Sequence, residues 1–499
     1  MFKKIRVSSV YLVCALVVLA VSAGCGGGGS QPAAAPAQEG FNDQSLTGSY
    51  AFSVTGVDTV GPFAFAGSLQ ANGNGVITGG TVDLNTQTLP NPTTATLTGT
   101  YSVLSDGRTM ANVTTSAGLN FSLDFVLLSN STGLVIRFDS AGTASGRIDL
   151  QNSSDFSDTA LAGSFAFNLS GVDVNEAPDT TAGAFTFDST GNISTGVQDM
   201  NDDGTLTANA AAISGGTVSS PTSGRGTITL DTSTGLLDFA YYVIDANHIR
   251  IVSTDAAPVF SGDAFRQSSS FTTSSTFAAG SFAFTVAGDA DNSPFAEGGI
   301  LTADGNGNIT AGTEDLNVAG ALTENIAVTG TYIIAPTGRG TLSLNSGQNF
   351  AIYPTMTGGV QIMDLASIDE GTALQQSATT FSNSSISGAY GLNFTGINLG
   401  EGVEVDVISQ FTADGNGNIT GALDLNNAGT LSSGQSLSGT YTTSPNGRGT
   451  ATLNFPAETT LGLSNLNVVY YAVSGSQALF IETDGAQVSV GVFSQQTQQ

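Results

Sequence analysis

Between Ser49 and Gln151 apolar residues fall on alternate positions in eight short segments, at about 49–55, 63–71, 75–84, 95–104, 108–114, 120–128, 133–139 and 144–151. Each segment is rich in Val, Ile, Thr, Phe and Tyr and is bounded by Gly, Asn, Asp or Ser, the pattern of half-buried strands joined by tight turns. No window of useful length carries a helical period. The same layout returns three more times. Units open at Gly48-Ser-Tyr-Ala-Phe52, Gly163-Ser-Phe-Ala-Phe167, Gly280-Ser-Phe-Ala-Phe284 and Gly388-Ala-Tyr-Gly-Leu392, spaced 115, 117 and 108 residues apart. A period of that size is a whole small domain, so each unit is expected to have its own core.

The predicted class is therefore all-β, as four tandem repeats over 45–153, 154–270, 271–379 and 380–499. Eight evenly spaced strands suit a closed up-and-down barrel, because closure removes exposed edges. A two-sheet sandwich of eight strands is the alternative. The unit looks like the small barrels of the avidin and lipocalin kind, in architecture only, since no motif of either family is present and the chain has no Trp.

Landmarks recur in one order. A DGNG-type turn is followed by Asp-Leu/Met-Asn, at Asp83, Asp199, Asp315 and Asp424, and then by a Gly-Thr pair. A Gly-Arg turn follows, at Arg108, Arg225, Arg339 and Arg448, and a Gln-containing strand closes some copies. These four are half of the eight Arg beyond residue 25. They read either as an anion site or as bidentate clamps on a carboxylate of their own domain, with Asp83, Asp199, Asp315 and Asp424 as the expected partners.

The turn Thr302-Ala-Asp-Gly-Asn-Gly-Asn-Ile-Thr310 recurs letter for letter as Thr412 to Thr420. Asp304, Asn306, Asn308 and Asp414, Asn416, Asn418 place oxygens at alternate positions, as a calcium loop would. Copy two offers Asp188, Thr190 and Asn192 at those positions, and copy one only Asn72 and Asn74 before Val76. All four keep one glycine, Gly75, Gly191, Gly307 or Gly417, and the Ile two residues on. A kept glycine points to a backbone need for positive φ, so the expected element is a hairpin turn, with calcium as the other reading.

The first residues carry Lys3, Lys4 and Arg6, an apolar run from Val10 to Val21, then Ser22-Ala-Gly-Cys25. This stretch resembles the lipobox of bacterial lipoproteins, with Ser22 where Leu is commoner. The resemblance implies a signal peptide over 1–25, a lipid on Cys25, and a flexible Gly/Pro/Ala tether over 26–44. Loss of the signal removes three of eleven basic residues and takes the formal charge from −29 to −32. A nucleic-acid partner is thereby disfavoured. Cys14 lies in the signal, so the remaining chain has no thiol for a disulfide or zinc cluster.

Enzyme chemistry finds little support. The one His, His248, sits in a strand and reads as a surface residue, and no Gly-rich loop leads into a helix as a phosphate site requires. The expected protein is a non-catalytic lipoprotein of the cell envelope, at the outer membrane or cell surface. It would display four β domains for adhesion to polysaccharide or another surface protein, or for a structural role. The rival readings are small-ligand sequestration inside each barrel and a calcium-dependent surface module, with no other cofactor expected.

Overall fold

The computed structural model describes residues 40–268, 271, 279–290, 293–456 and 465–497. The signal segment, Cys25 and most of the tether lie outside the described residues.

Four closed antiparallel β-barrels follow one another, with strands at 47–150, 163–266, 280–375 and 387–495. In the first, eight strands pair in chain order and strand one closes on strand eight, with Phe52 opposite Ile148. The expected meander and its closure are therefore both present, and the sandwich alternative is not. The second barrel differs in one respect. Its fourth strand is broken into Thr205–Ile213 and Gly215–Val218, and the ring closes through both pieces. Regular helix is limited to Asp158–Leu161 among the described residues, and no helix there is long and apolar enough to cross a membrane.

Alternation explains the cores. On strand two of barrel 1, Phe63, Phe65, Leu69 and Ala71 point inward with Phe52 and Tyr50 of strand one. One phenylalanine ahead of each strand one caps the barrel end. Phe41, Phe156 and Phe381 sit against Gly107, Gly224 and Gly447, each at positive φ and with no room for a Cβ.

The barrels do not hang separately on a string. Strands one and two of each pack on strands six to eight of the next, and those of the fourth pack on the first. Because strand eight adjoins strand one, the two contact faces of a barrel meet at a corner, and head-to-tail repetition closes a ring after four members. Strand four faces outward, and strands three and five flank the seams. An even strand count brings every connector, and the N-terminal segment, to the same end of the ring.

Candidate functional site: the four seams of the ring

The seams are built from the recurring landmarks. In Asp-Leu/Met-Asn the middle residue points into the barrel, so Asp and Asn both point out, at the neighbour. Asp83 of barrel 1 accepts from Arg225 of barrel 2, Nε to Oδ2 at 2.7 Å and Nη2 to Oδ1 at 2.7 Å. Asp199 takes Arg339 of barrel 3 at 2.6 and 2.7 Å. Asp315 takes Arg448 of barrel 4 at 2.8 and 2.7 Å. Asp424 of barrel 4 takes Arg108 of barrel 1 through Nη1 at 3.1 Å, while Arg108 Nε turns to Asp106 at 2.9 Å.

These are the carboxylates expected for the clamp, but each belongs to the preceding barrel and not to the arginine's own. The reason is geometric. Strand three, which carries the Asp, and the Gly-Arg turn lie on different sides of one barrel, and only a neighbour brings them together.

Two further residues recur in every seam and a third in three of them. Asn85 Nδ2 donates to the carbonyls of Ser253 and Asp255, Asn201 to Ser367, Asn317 to Glu482 and Gln487, and Asn426 to Arg137 and Gly142. The Gln ending each strand eight plugs the next Gly-Arg turn region. Gln151 Nε2 donates to Val243 O at 2.6 Å, Gln267 to Gly338 O, Gln376 to Ala472 O and Gln496 to Leu127 O at 2.8 Å. A tyrosine opposite the Arg adds a third donor to the Asp in three seams, from Tyr242, Tyr353 and Tyr471. Burial, then the adjacent carboxylate, hold all three phenols well above their ordinary range. In the fourth seam Val126 stands opposite Arg108 and no such donor exists. The sequence reading assigned no role to the Asn or Tyr and only noted the Gln; the signal available was the fixed offset of the Asn from the Asp in every copy.

His248, expected at the surface, is buried. Its Nε2 lies 2.6 Å from Asp263 Oδ1 and its ring stacks on Phe265. Its strand belongs to the face that barrel 1 covers. Arg250 on the same face bonds Asp263, Asp149 and Ser53, the last two across the seam.

The DGNG turns are exposed and self-contained. Asp304 Oδ1 accepts from the backbone N–H of Asn306 at 2.7 Å and Asn308 at 3.0 Å, and Oδ2 from Asn308 Nδ2 at 2.7 Å. Asp414 repeats this with Asn416 and Asn418. Both carboxylates thus serve the hairpin, with Gly305, Gly307, Gly415 and Gly417 at positive φ. Among the described residues no group of three or more His, Cys, Asp or Glu is placed to hold a metal ion.

The barrel interiors leave little space. Cavities of about 30 Å³ remain in barrel 3, beside Tyr332 and Ile352, and in barrel 4, beside Phe411 and Tyr470. That is room for about one water and far below a ligand pocket. A recess of about 430 Å³ opens at the rim of barrel 3, between Phe271, Phe282 and the Pro354 turn.

No family model matches the chain, and no curated protein matches it. Among solved structures it is similar to transferrin binding protein B from Haemophilus parasuis, with 9% identity, 73% of this chain and 82% of that one covered, and a TM-score of 0.22. The same protein from serogroup B Neisseria meningitidis gives 9%, 72%, 82% and 0.22. Intact Ap-TbpB with both lobes gives 8%, 93%, 98% and 0.20. At such scores the likeness bears on neither arrangement nor role.

Proposed function

We propose that this chain is a lipid-anchored cell-envelope protein whose ring of barrels is a rigid, non-catalytic scaffold for binding a repetitive partner. The observation that carries the reading is the closed ring, which holds four outward faces in fixed relation with all chain connections at one end. Lipid on Cys25 would attach that end to the membrane, most simply the outer membrane or cell surface. Four weak contacts fixed in one body gain from effective concentration only if the partner repeats with matching spacing.

The outward faces suggest the kind of contact. Strand four of barrel 1 exposes Thr94, Thr96, Thr98, Thr100 and Ser102, and strand four of barrel 4 exposes Ser436, Ser438, Thr440 and Thr442. All described Phe and Tyr are buried except the half-buried Phe156. Sugar stacking on aromatic platforms is thus not offered, and the faces favour hydrogen bonding along an extended surface, from polysaccharide hydroxyls or from another envelope protein. The test is chemical cross-linking on intact cells together with a polysaccharide array probed with residues 26–499. Capture of neither kind of partner removes the binding role and leaves a structural one; a Cys25→Ser chain that still fractionates with membranes removes the lipid anchor.

A further inference from the structure

Barrel 3 differs from its siblings at two inward positions. Glu297 on strand two and Glu314 on strand three share the inward parity of the core residues Phe295, Leu301 and Leu316. Gly299 is paired with Glu314, which makes the two glutamates diagonal neighbours on one face. Both are fully buried, at 0% exposure. Counted from the hairpin and from the seam Asp, the equivalent pairs are Phe65 and Val82 in barrel 1 and Val407 and Leu423 in barrel 4. In barrel 2 they are Thr181 and Gln198, joined by a hydrogen bond of 2.9 Å from Gln198 Nε2 to Thr181 Oγ1, with Gln198 Oε1 left without a partner. The fold therefore closes on apolar or neutral pairs, and two carboxylates there are not a requirement of the barrel.

Nor are the glutamates paid off by the protein. Glu314 has only Ser346 and Glu297 itself beside it, neither at full hydrogen-bond geometry, Glu297 Oε1 has no donor, and the buried Gln348 Oε1 has no partner either. Glu297 Oε2 has one long contact, 3.4 Å from Gln348 Nε2. Ser346 and Gln348 come from the turn that closes the mouth of the barrel, and Asp364 and Asp369 bring two further carboxyls near. Burial, reinforced by the neighbouring carboxylates, drives Glu297 far above the ordinary carboxyl range. An unpaired carboxylate in such a site is destabilising and is relieved by a proton or by a cation.

We propose that Glu297 and Glu314, with Gln348 Oε1, hold one hard divalent cation of the calcium class inside barrel 3. Every available donor is an oxygen, which suits calcium or magnesium and not zinc or copper. Two carboxylates balance the charge of such an ion, and the neutral amide oxygen and water complete its shell. The site is independent of the envelope role and distinct from the exposed DGNG turns.

The experiment uses residues 26–499, stripped with chelator and titrated with calcium chloride, then magnesium chloride, by calorimetry at neutral pH, with metal content measured after desalting. The expected result is a single cation per chain, lost in E297Q/E314Q and retained in D304A/D414A. The variant E297T/E314Q, which copies the pair of barrel 2, keeps the test valid if the double Gln chain does not fold. No uptake by the unaltered chain, with E297Q/E314Q raising its thermal stability, means the pair shares a proton and overturns the proposal. Binding that survives E297T/E314Q and vanishes in D304A/D414A overturns it equally, in favour of the turns.

Discussion

Tyr471 of barrel 4 lies where a side chain on Gly298 of barrel 3 would have to go: a Cβ there would stand 2.3 Å from the ring, whose hydroxyl reaches Asp315 at 2.8 Å. The same seam position is Ala66 under Tyr242 and Ala182 under Tyr353. In the fourth seam the sizes are exchanged, Ile408 facing Val126 in one apolar cluster. Large and small residues thus compensate across each seam. Val126→Tyr alone should overpack the fourth seam and cost about 1–3 kcal/mol, whereas V126Y/I408A should recover that loss and add a donor to Asp424. Urea denaturation of the two variants decides it; a double variant no better than the single one sinks the compensation.

The seam carboxylates should be worth more than surface ion pairs. The side chains of Asp199 and Asp315 are wholly buried beneath their arginines, and removing one member of a buried pair costs about 3–5 kcal/mol. Asp199→Ala and Asp315→Ala should therefore lower the denaturation midpoint markedly. Arg339→Ala should act by loosening barrel 2 from barrel 3. Small-angle scattering near the midpoint would register that separation as expansion; loss of one barrel's structure without expansion would contradict it.

Much of this was legible in the chain. Strands of the first copy lie within a few residues of where the period of two puts them, because each has one face in a core and one outside it. The seam Asp and Arg stood out as repeated polar residues in turns and strands that needed none. What the chain did not reveal is that their partners lie in the neighbouring barrel, since a repeated pair reads identically whether it closes on itself or on the next copy. Glu297 and Glu314 were missed for a different reason. In a chain with 40 acidic residues they stand out only once strand parity turns both inward.

The fourth seam is the one joined by no connector, and it has the sparsest ion pair. Arg108 divides itself between Asp424 and Asp106, and no tyrosine assists. Besides the bonds of Asn426 and Thr143, the seam is held by Gln496 and by the backbone N–H of Thr497 on Leu128 O at 2.7 Å. Hydrogen exchange should show the ring opening there first, with the amide of Thr497 exchanging sooner than those of Ser377 and Asn152, which make the same bond in the third and first seams. Equal protection at the three amides would show that the ring opens as a unit.

The ring should be more stable in mild acid than in mild alkali. Burial pushes Asp179 up to about 9 and Asp369 to about 8. At the fourth seam burial raises Asp406 to about 7, although Thr143 donates to it, and in barrel 4 burial raises Glu482 to about 10. A carboxyl raised in the folded state binds its proton more tightly than in the unfolded chain. Its stabilising effect is complete below the unfolded value of about 4 and is lost as pH climbs through the folded one. The DGNG turns run the other way. Hydrogen bonds from Asn418 hold the exposed Asp414 down to about 2, so that contribution is present above about 4 and fades in stronger acid. Stability should therefore peak near roughly pH 4 and decline from there to roughly pH 9, each carboxyl ceasing to contribute to the slope once the pH passes its folded value. Urea midpoints measured across that range test the sign, and D179N/D406N should flatten the decline. A midpoint that rises from pH 5 to pH 9 would mean that these carboxyls are already ionised and paired in the folded ring.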